Sequence, residues 1–270
     1  MTAHKGTWND HIFPQNTLAS ISKAIDNQYQ AIEFDVLATK DNQLVLAHDQ
    51  KLKKISNCEG EIKNLKLSAL LNCKIKKNTL LPITQILLKK VKRPQYMSSA
   101  SEVLDYLIAN EAKLIWIDLK DNTIAASNIL IDLIKSKRLT AFESSTIVVN
   151  STSLDVLKNI KSSLPNIGRS IEGKWGAEPL TNRLYFLETV LNDITHLSLN
   201  VGLRVGDEPL YKVINKRKRF EKRLKALLID AHSKNIKVIG WTVNNLRKLK
   251  RLSETDLDYL LTDKTATPSK

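Results

Sequence analysis

The chain is poor in cysteine, glycine, proline and aromatic residues: among 270 residues there are 2 Cys, 8 Gly and 7 Pro, and aromatics make up 6%. Two cysteines cannot staple a domain of this size, which excludes a disulfide scaffold. Cys58 and Cys73 read as free buried thiols, with pairing in an exporting compartment as the other solution. So little Gly and Pro excludes a collagen-like or low-complexity chain, and a hydrophobic fraction of 42% excludes full disorder. No apolar run approaches the roughly 18–20 residues that span a bilayer, so the chain reads as soluble. The opening Met1-Thr2-Ala3-His4 lacks a basic stretch followed by an apolar one. That reads as cytoplasmic as it stands, or as periplasmic or secreted if a leader has been replaced by the methionine. Acidic residues are also scarce, 28 against 42 Lys and Arg, for a net charge of +14. The excess points to an anionic partner or substrate without choosing among nucleic acid, anionic lipid and small phosphates.

What is present is alternation. Short β-branched or apolar runs at Thr2–Gly6, Ile32–Leu37, Leu114–Leu119, Thr146–Asn150, Ile167–Ile171, His196–Val201, Lys237–Thr242 and Tyr259–Thr262 read as strands. Helical periodicity falls between them, around Thr17–Asn27, Ser101–Asn110, Ile124–Ser136, Leu154–Ser162, Arg183–Leu191, Glu221–Asn235 and Leu246–Leu252. Eight strands alternating with helices over about 250 residues predict one (β/α)8 TIM barrel domain over residues 1–270, with a doubly wound open sheet as the other solution. The stretch from about 38 to 100 is too long for a single crossover. It reads as a small insertion between the second and third strands, opened by a hairpin of Val36–Thr39 and Leu44–His48, with too little apolar content for a core of its own. A basic run crowds Lys212 to Lys225.

In such a barrel the chemistry sits at the C-terminal ends of the strands. The first strand ends in His4-Lys5-Gly6, and the second carries Glu33-Phe34-Asp35, whose i, i+2 spacing puts both carboxylates on one face. The hairpin ends in His48-Asp49, the third strand in Asp118-Leu119-Lys120, and a late strand in Trp241-Thr242-Val243-Asn244. Glu33, Asp35 and Asp118 converging on one mouth repel one another unless a cation lies between them. One hard divalent ion, Mg2+ or Ca2+, suits an all-oxygen ligand set. His4 and His48 could then act as acid and base, and Lys5 and Lys120 as point charges for an anion, a combination that describes phosphoryl-ester chemistry. Each signal has a plainer reading. His4 alone reads as a structural histidine, Asp118 and Lys120 as an ion pair, Trp241 as core filling and the Lys212–Lys225 run as a solvated helix face. Their order along successive strand ends is what favours the joint site.

These residues resemble the signature of the glycerophosphodiester phosphodiesterase family. His4-Lys5-Gly6, Pro14-Gln15-Asn16-Thr17, Glu33-x-Asp35, Thr39-Lys40-Asp41 and His48-Asp49 stand where that family commonly reads HRG, PENT, E-x-D, TKDG and HD. Asp118-x-Lys120 resembles its E-x-K strand, and Trp241-Thr242-Val243-Asn244 and Thr262-Asp263 its closing WTVN and TD. The resemblance implies a metal-dependent hydrolase that cleaves small-molecule glycerophosphodiesters to glycerol 3-phosphate and an alcohol. It implies His4 and His48 as the acid/base pair, Glu33, Asp35 and Asp118 as metal ligands, and Lys5, Lys120 and Trp241 on the substrate.

Three positions depart from the pattern: Lys5 for arginine, Gln15 for glutamate, and Asp118 for glutamate, which would have to reach the ion through a shifted backbone or a water. Aspartate followed two residues later by lysine is similar to the sphingomyelinase D-type phospholipases. That keeps open a phospholipase D-like activity on lysophospholipid or sphingolipid, with peripheral contact between the Lys212–Lys225 run and an anionic membrane. A non-catalytic barrel that binds anions or nucleic acid is the reading from another class. The lack of an aromatic-plus-basic stacking platform argues against nucleic acid.

Overall fold

The structure, a computed structural model, describes residues 1–7, 13–76, 94–138, 147–173, 192–201 and 210–263. Nine strands follow in order: β1 (Thr2–His4), β2 (Ala31–Ala38), β3 (Leu44–Leu46), β4 (Leu114–Leu119), β5 (Ile147–Ser151), β6 (Gly168–Gly173), β7 (His196–Asn200), β8 (Lys237–Trp241) and β9 (Tyr259–Thr262). All but β3 pair in parallel, and β1 pairs with both β2 and β9, so the sheet closes into an eight-stranded barrel rather than staying open. Described helices are α1 (Leu18–Asp26), α2 (Leu52–Ile55), α3 (Leu67–Leu70), α4 (Ala100–Ala109), α5 (Ile124–Ser136), α6 (Leu154–Ser163), α7 (Leu210–Ser233) and α8 (Leu246–Ser253). None of them is long and apolar enough to cross a membrane.

Helices α1, α5, α6 and α8 each start on a residue whose side-chain oxygen caps the first turn. Thr17, Thr123, Ser153 and Asn245 accept from the backbone N–H of Ser20, Ala126, Val156 and Lys248, satisfying a donor that the first turn leaves open. Period-2 alternation along the strands sends one set of side chains outward against these helices, where Ile32, Phe34, Ile115, Ile117 and Val149 lie buried. The other set fills the barrel with Leu114, Trp116, Val148, Ile239 and Leu261. His196 joins that layer edge-on to Trp116, ring centroids 5.5 Å apart.

Several expected boundaries move. Strand β1 stops at His4 and does not run to Gly6, because Lys5 and Gly6 take positive φ of 58° and 74° and turn the chain over the barrel rim. A Cβ on Gly6 would lie 2.6 Å from the Ser20 carbonyl, so glycine is required there. Helix α7 starts at Leu210, eleven residues before the expected Glu221, since the polar run Asn215–Arg219 interrupts the apolar spacing that marks a helix. The expected helix at Arg183–Leu191 lies outside the described residues, as does Thr146. Of the basic run, Lys222, Arg223 and Lys225 are exposed on α7.

The insertion differs most from expectation. Strand β3 pairs antiparallel with the end of β2, Val36 opposite Leu46, as the hairpin reading requires. Beyond it, Leu37, Val45, Leu52, Ile62, Leu70, Cys73 and Met97 pack into a small buried cluster of their own. Single apolar residues spaced among lysines hid that cluster from a reading that looks for runs. Cys58 and Cys73 are also not free thiols: they form a disulfide with Cα atoms 5.6 Å apart. The antiparallel bridge between Ser56 and Ile75 brings their segments together, a contact that the spacing of two cysteines does not encode.

Candidate active site

Residue parity on the strands decides which side chains reach the barrel mouth. Register pairs His4 with Glu33 and Asp35 with Asp118, so β1, β2 and β4 deliver their polar side chains at neighbouring levels of the interior. Carboxylate oxygens of Glu33, Asp35 and Asp118 all lie within 4.8 Å of one another, and all three residues are buried. Asp118 therefore reaches the cluster directly despite its shorter side chain. Glu33 accepts the Lys5 backbone N–H at 2.7 Å, a bond that the left-handed turn at Lys5 makes available. Asn16 clamps Asp35 from both ends of its carboxamide: Nδ2 donates to Oδ2 at 2.7 Å, and Oδ1 accepts the Asp35 N–H at 3.0 Å.

Two ammonium groups balance the carboxylates. Lys5 Nζ lies 3.3 Å from Asp35 Oδ2, while Lys120 Nζ lies 3.1 Å from Asp35 Oδ1 and 2.6 Å from Asp118 Oδ2. Burial alone would raise the Asp35 pKa, but Lys5 and Lys120 hold it at about 2. Glu33 is pushed up to about 7 by burial and by Asp35 and Asp118, and Asp118 to about 6 by burial and by Asp35. Burial opposes the charge on Lys120, yet Asp118 and Asp35 raise its pKa. The cluster thus carries more negative charge than its buried setting accommodates, and its donors are oxygens alone. That donor set fits a hard divalent cation.

Both histidines reach the same space from different elements. His4 Nδ1 lies 2.5 Å from Asp263 Oδ1, with Nε2 on the side of Glu33 at 3.9 Å. Burial disfavours the charged ring, but Glu33 and Asp263 outweigh it and raise the His4 pKa. His48, carried in on the insertion, is exposed at the rim and contacts Asp49 at 3.4 Å; partial burial of its ring and the charge of Lys5 lower its pKa. A cavity of about 230 Å³ at the strand ends is lined by His4, Lys5, Glu33, His48, Asp118, Lys120 and Trp241, among others. All eight expected site residues therefore converge, Asp35 lying beneath Lys5 and Lys120.

Other groups at the site carry no signal in the motifs. Asn150, Glu172 and Ser198 line the cavity from β5, β6 and β7, and parity with Ser170 and His196 would have found the last two. Asn150 Oδ1 and Trp241 Nε1 are buried without a hydrogen-bond partner, on side chains that face this space. Asn16, Asn244 and Asp263 stand in the motifs that resemble the family's, and the sequence alone gives them no role.

Clustered carboxylates, flanking ammonium groups and two imidazoles at the C-terminal rim of a closed barrel define a phosphoric diester hydrolase of the TIM-barrel class. Over residues 4–267 the chain matches the glycerophosphoryl diester phosphodiesterase family, and it belongs to that family. It is 23% identical over 262 residues to the glycerophosphodiester phosphodiesterase of Caldanaerobacter subterraneus subsp. tengcongensis, covering 97% of this chain and 92% of that one. Among solved structures, the Oleispira antarctica phosphodiesterase in complex with the product sn-glycerol-3-phosphate is 17% identical, with a TM-score of 0.69 over 98% of this chain and 94% of that one. The glycerophosphodiester phosphodiesterase of Agrobacterium tumefaciens is 14% identical, with a TM-score of 0.70 over 98% and 96%. At these identities the two structures speak to the fold alone.

Proposed function

We propose that this protein hydrolyses glycerophosphodiesters to glycerol 3-phosphate and an alcohol, with His4 and His48 as the acid–base pair. One observation carries the reading: His4, His48, Lys5, Lys120 and the carboxylates of Glu33 and Asp118 all line a single cavity of about 230 Å³. Glu33, Asp35 and Asp118 would hold one divalent cation, Mg2+ or Ca2+, whose bound charge stabilises the non-bridging phosphate oxygens. Lys5 and Lys120 add positive charge on the same side of the phosphate. One imidazole takes the proton of the attacking hydroxyl while the other gives a proton to the leaving alkoxide, and general acid–base work of this kind contributes roughly 10²–10⁴-fold. Trp241 would pack on the substrate from the cavity wall.

The test is hydrolysis of a panel of glycerophosphodiesters, glycerophosphocholine first, with and without chelator. Activity lost in chelator and restored by Mg2+ or Ca2+ supports the carboxylate assignment; indifference to chelator removes it. His4→Ala and His48→Ala should each lower turnover by at least about 10²-fold with cation binding largely retained. Near-normal rates in both would refute the histidine roles.

The second reading, lysophospholipid or sphingolipid cleavage at an anionic membrane, draws on Asp118-x-Lys120 and on the exposed Lys222, Arg223 and Lys225. Lysophosphatidylcholine in the same panel separates the two. The Cys58–Cys73 disulfide supports an oxidising compartment over the cytoplasm.

A further inference from the structure

The hydrogen-bond pattern around Asp263 can be followed one step further than the site itself. Asn244 has no freedom in how it presents its carboxamide: Oδ1 accepts the backbone N–H of Asp263 at 2.9 Å and the Thr262 hydroxyl at 3.4 Å. A backbone N–H can be met only by an acceptor, so Nδ2 must be the end that points to the Asp263 carboxylate, where it donates to Oδ2 at 2.5 Å. The other carboxylate oxygen of Asp263 faces His4 Nδ1 at 2.5 Å. A carboxylate only accepts, so His4 must carry a proton on Nδ1 and turn Nε2 toward Glu33 and the cavity.

We infer that Asn244 and Asp263 are positioning residues that fix the tautomer and orientation of His4. This rests on the proposed acid–base role of His4. The relay predicts an unusual outcome for an isosteric change. In Asp263→Asn the new side chain has one oxygen and one NH2 to offer. Asn244 Nδ2 requires the oxygen, so the NH2 turns to His4 and leaves the ring with its proton on Nε2. In that state Nε2 has no lone pair to accept a proton, and a neutral ring yields one poorly. Asn244→Asp added to Asp263→Asn reverses the clash. The carboxylate introduced at position 244 accepts both the backbone N–H and the new NH2, and the oxygen of the side chain at position 263 again faces His4.

The experiment follows glycerophosphocholine turnover and the ring 15N signals of His4 in the wild type, His4→Ala, Asp263→Asn and the double variant Asn244→Asp/Asp263→Asn. Asp263→Asn should lose about 10²–10⁴-fold in kcat with KM little changed, the scale of acid–base catalysis. Its His4 signals should move to the Nε2-protonated tautomer. The double variant should regain turnover to within about tenfold of the wild type and restore the Nδ1-protonated signals, as coupled neighbours do. A purely structural role would lower the melting temperature and leave the tautomer unmoved. The inference is overturned if the His4 signals are the same in the wild type and Asp263→Asn, or if the double variant is no better than the single. Full activity in His4→Ala would overturn the acid–base reading instead, and the 15N signals would still decide what Asp263 does.

Discussion

Gln50 and Asp121 fasten the rim insertion to the barrel: Gln50 Nε2 donates to Asp121 Oδ1 at 2.9 Å. The second oxygen of Asp121 accepts the Ala38 N–H at 2.7 Å, where the chain leaves β2. Gln50 lies two residues beyond His48, so the same carboxylate that ends one strand also sets where an imidazole from the insertion comes to rest.

Asp121→Ala should therefore act on stability and catalysis together. Loss of an acceptor for two donors is expected to lower stability by about 1–3 kcal/mol in urea unfolding. Turnover should fall several-fold in the wild-type background, with no further loss in His48→Ala. Equal effects in both backgrounds would show that the tether does not work through His48.

Cation binding should strengthen with pH in a defined window. In the metal-free protein Glu33 titrates near 7 and Asp118 near 6, above their ordinary values of 4.5 and 3.8. A raised carboxyl pKa means that the folded state holds protons the unfolded chain has already released, so metal-free stability falls as pH rises toward 7. A bound cation removes that penalty. The gain in melting temperature on adding Mg2+ or Ca2+ to chelator-treated protein should grow from pH 5 to pH 8. At about 100 times Kd the gain should correspond to roughly 2.7 kcal/mol. Asp35→Asn should abolish most of it, and a pH-independent gain would argue against the carboxylates as ligands.

His196 gives the opposite slope. It is buried against Trp116, and burial lowers its pKa from 6.5 to about 4. Its contribution is complete above 6.5 and is lost as pH falls toward 4, because the unfolded chain takes up the proton first. Between pH 8 and pH 5 the loss should be about 2 kcal/mol. His196→Phe should flatten the acid limb of the stability curve when both proteins are compared with chelator present.

The disulfide should protect the insertion locally. Cys58 and Cys73 are 15 residues apart, and closing a loop of that length contributes about 3 kcal/mol in the chain-entropy model. Cys73→Ser should make residues 52–76 sensitive to limited proteolysis at temperatures where the barrel resists. Turnover should fall with it, since His48, which lines the cavity, lies four residues before this segment. Mass spectrometry without reductant checks the bond directly.

The barrel was legible because its grammar is local. Ile32-Glu33-Phe34-Asp35-Val36 shows outward apolar and inward charged side chains within five residues, and β4 ends the same way, with Asp118 inward between Ile117 and Leu119. The three carboxylates and both histidines are legible for the same reason: Glu33 and Asp35 share one face of β2, and His4, His48 and Asp118 stand at or near the end of a strand or hairpin. What the sequence hid depends on contacts between distant segments. The apolar cluster of Leu52, Ile62 and Leu70 has no run to reveal it, and the cysteine pairing needs the Ser56–Ile75 bridge. The role of Asp263 becomes visible only once β9 lies beside β1.

That last pairing has a consequence for incomplete copies of the molecule. His4 and Asp263 are separated by 259 positions, so an imidazole made early in synthesis waits for an acid made long afterwards. A product of stalled translation or of cleavage that lacks β9 keeps seven barrel strands, an open seam and a histidine without its carboxylate. Such a fragment lacks the acid that we infer orients His4, so the proposed site is complete only once the seam has shut.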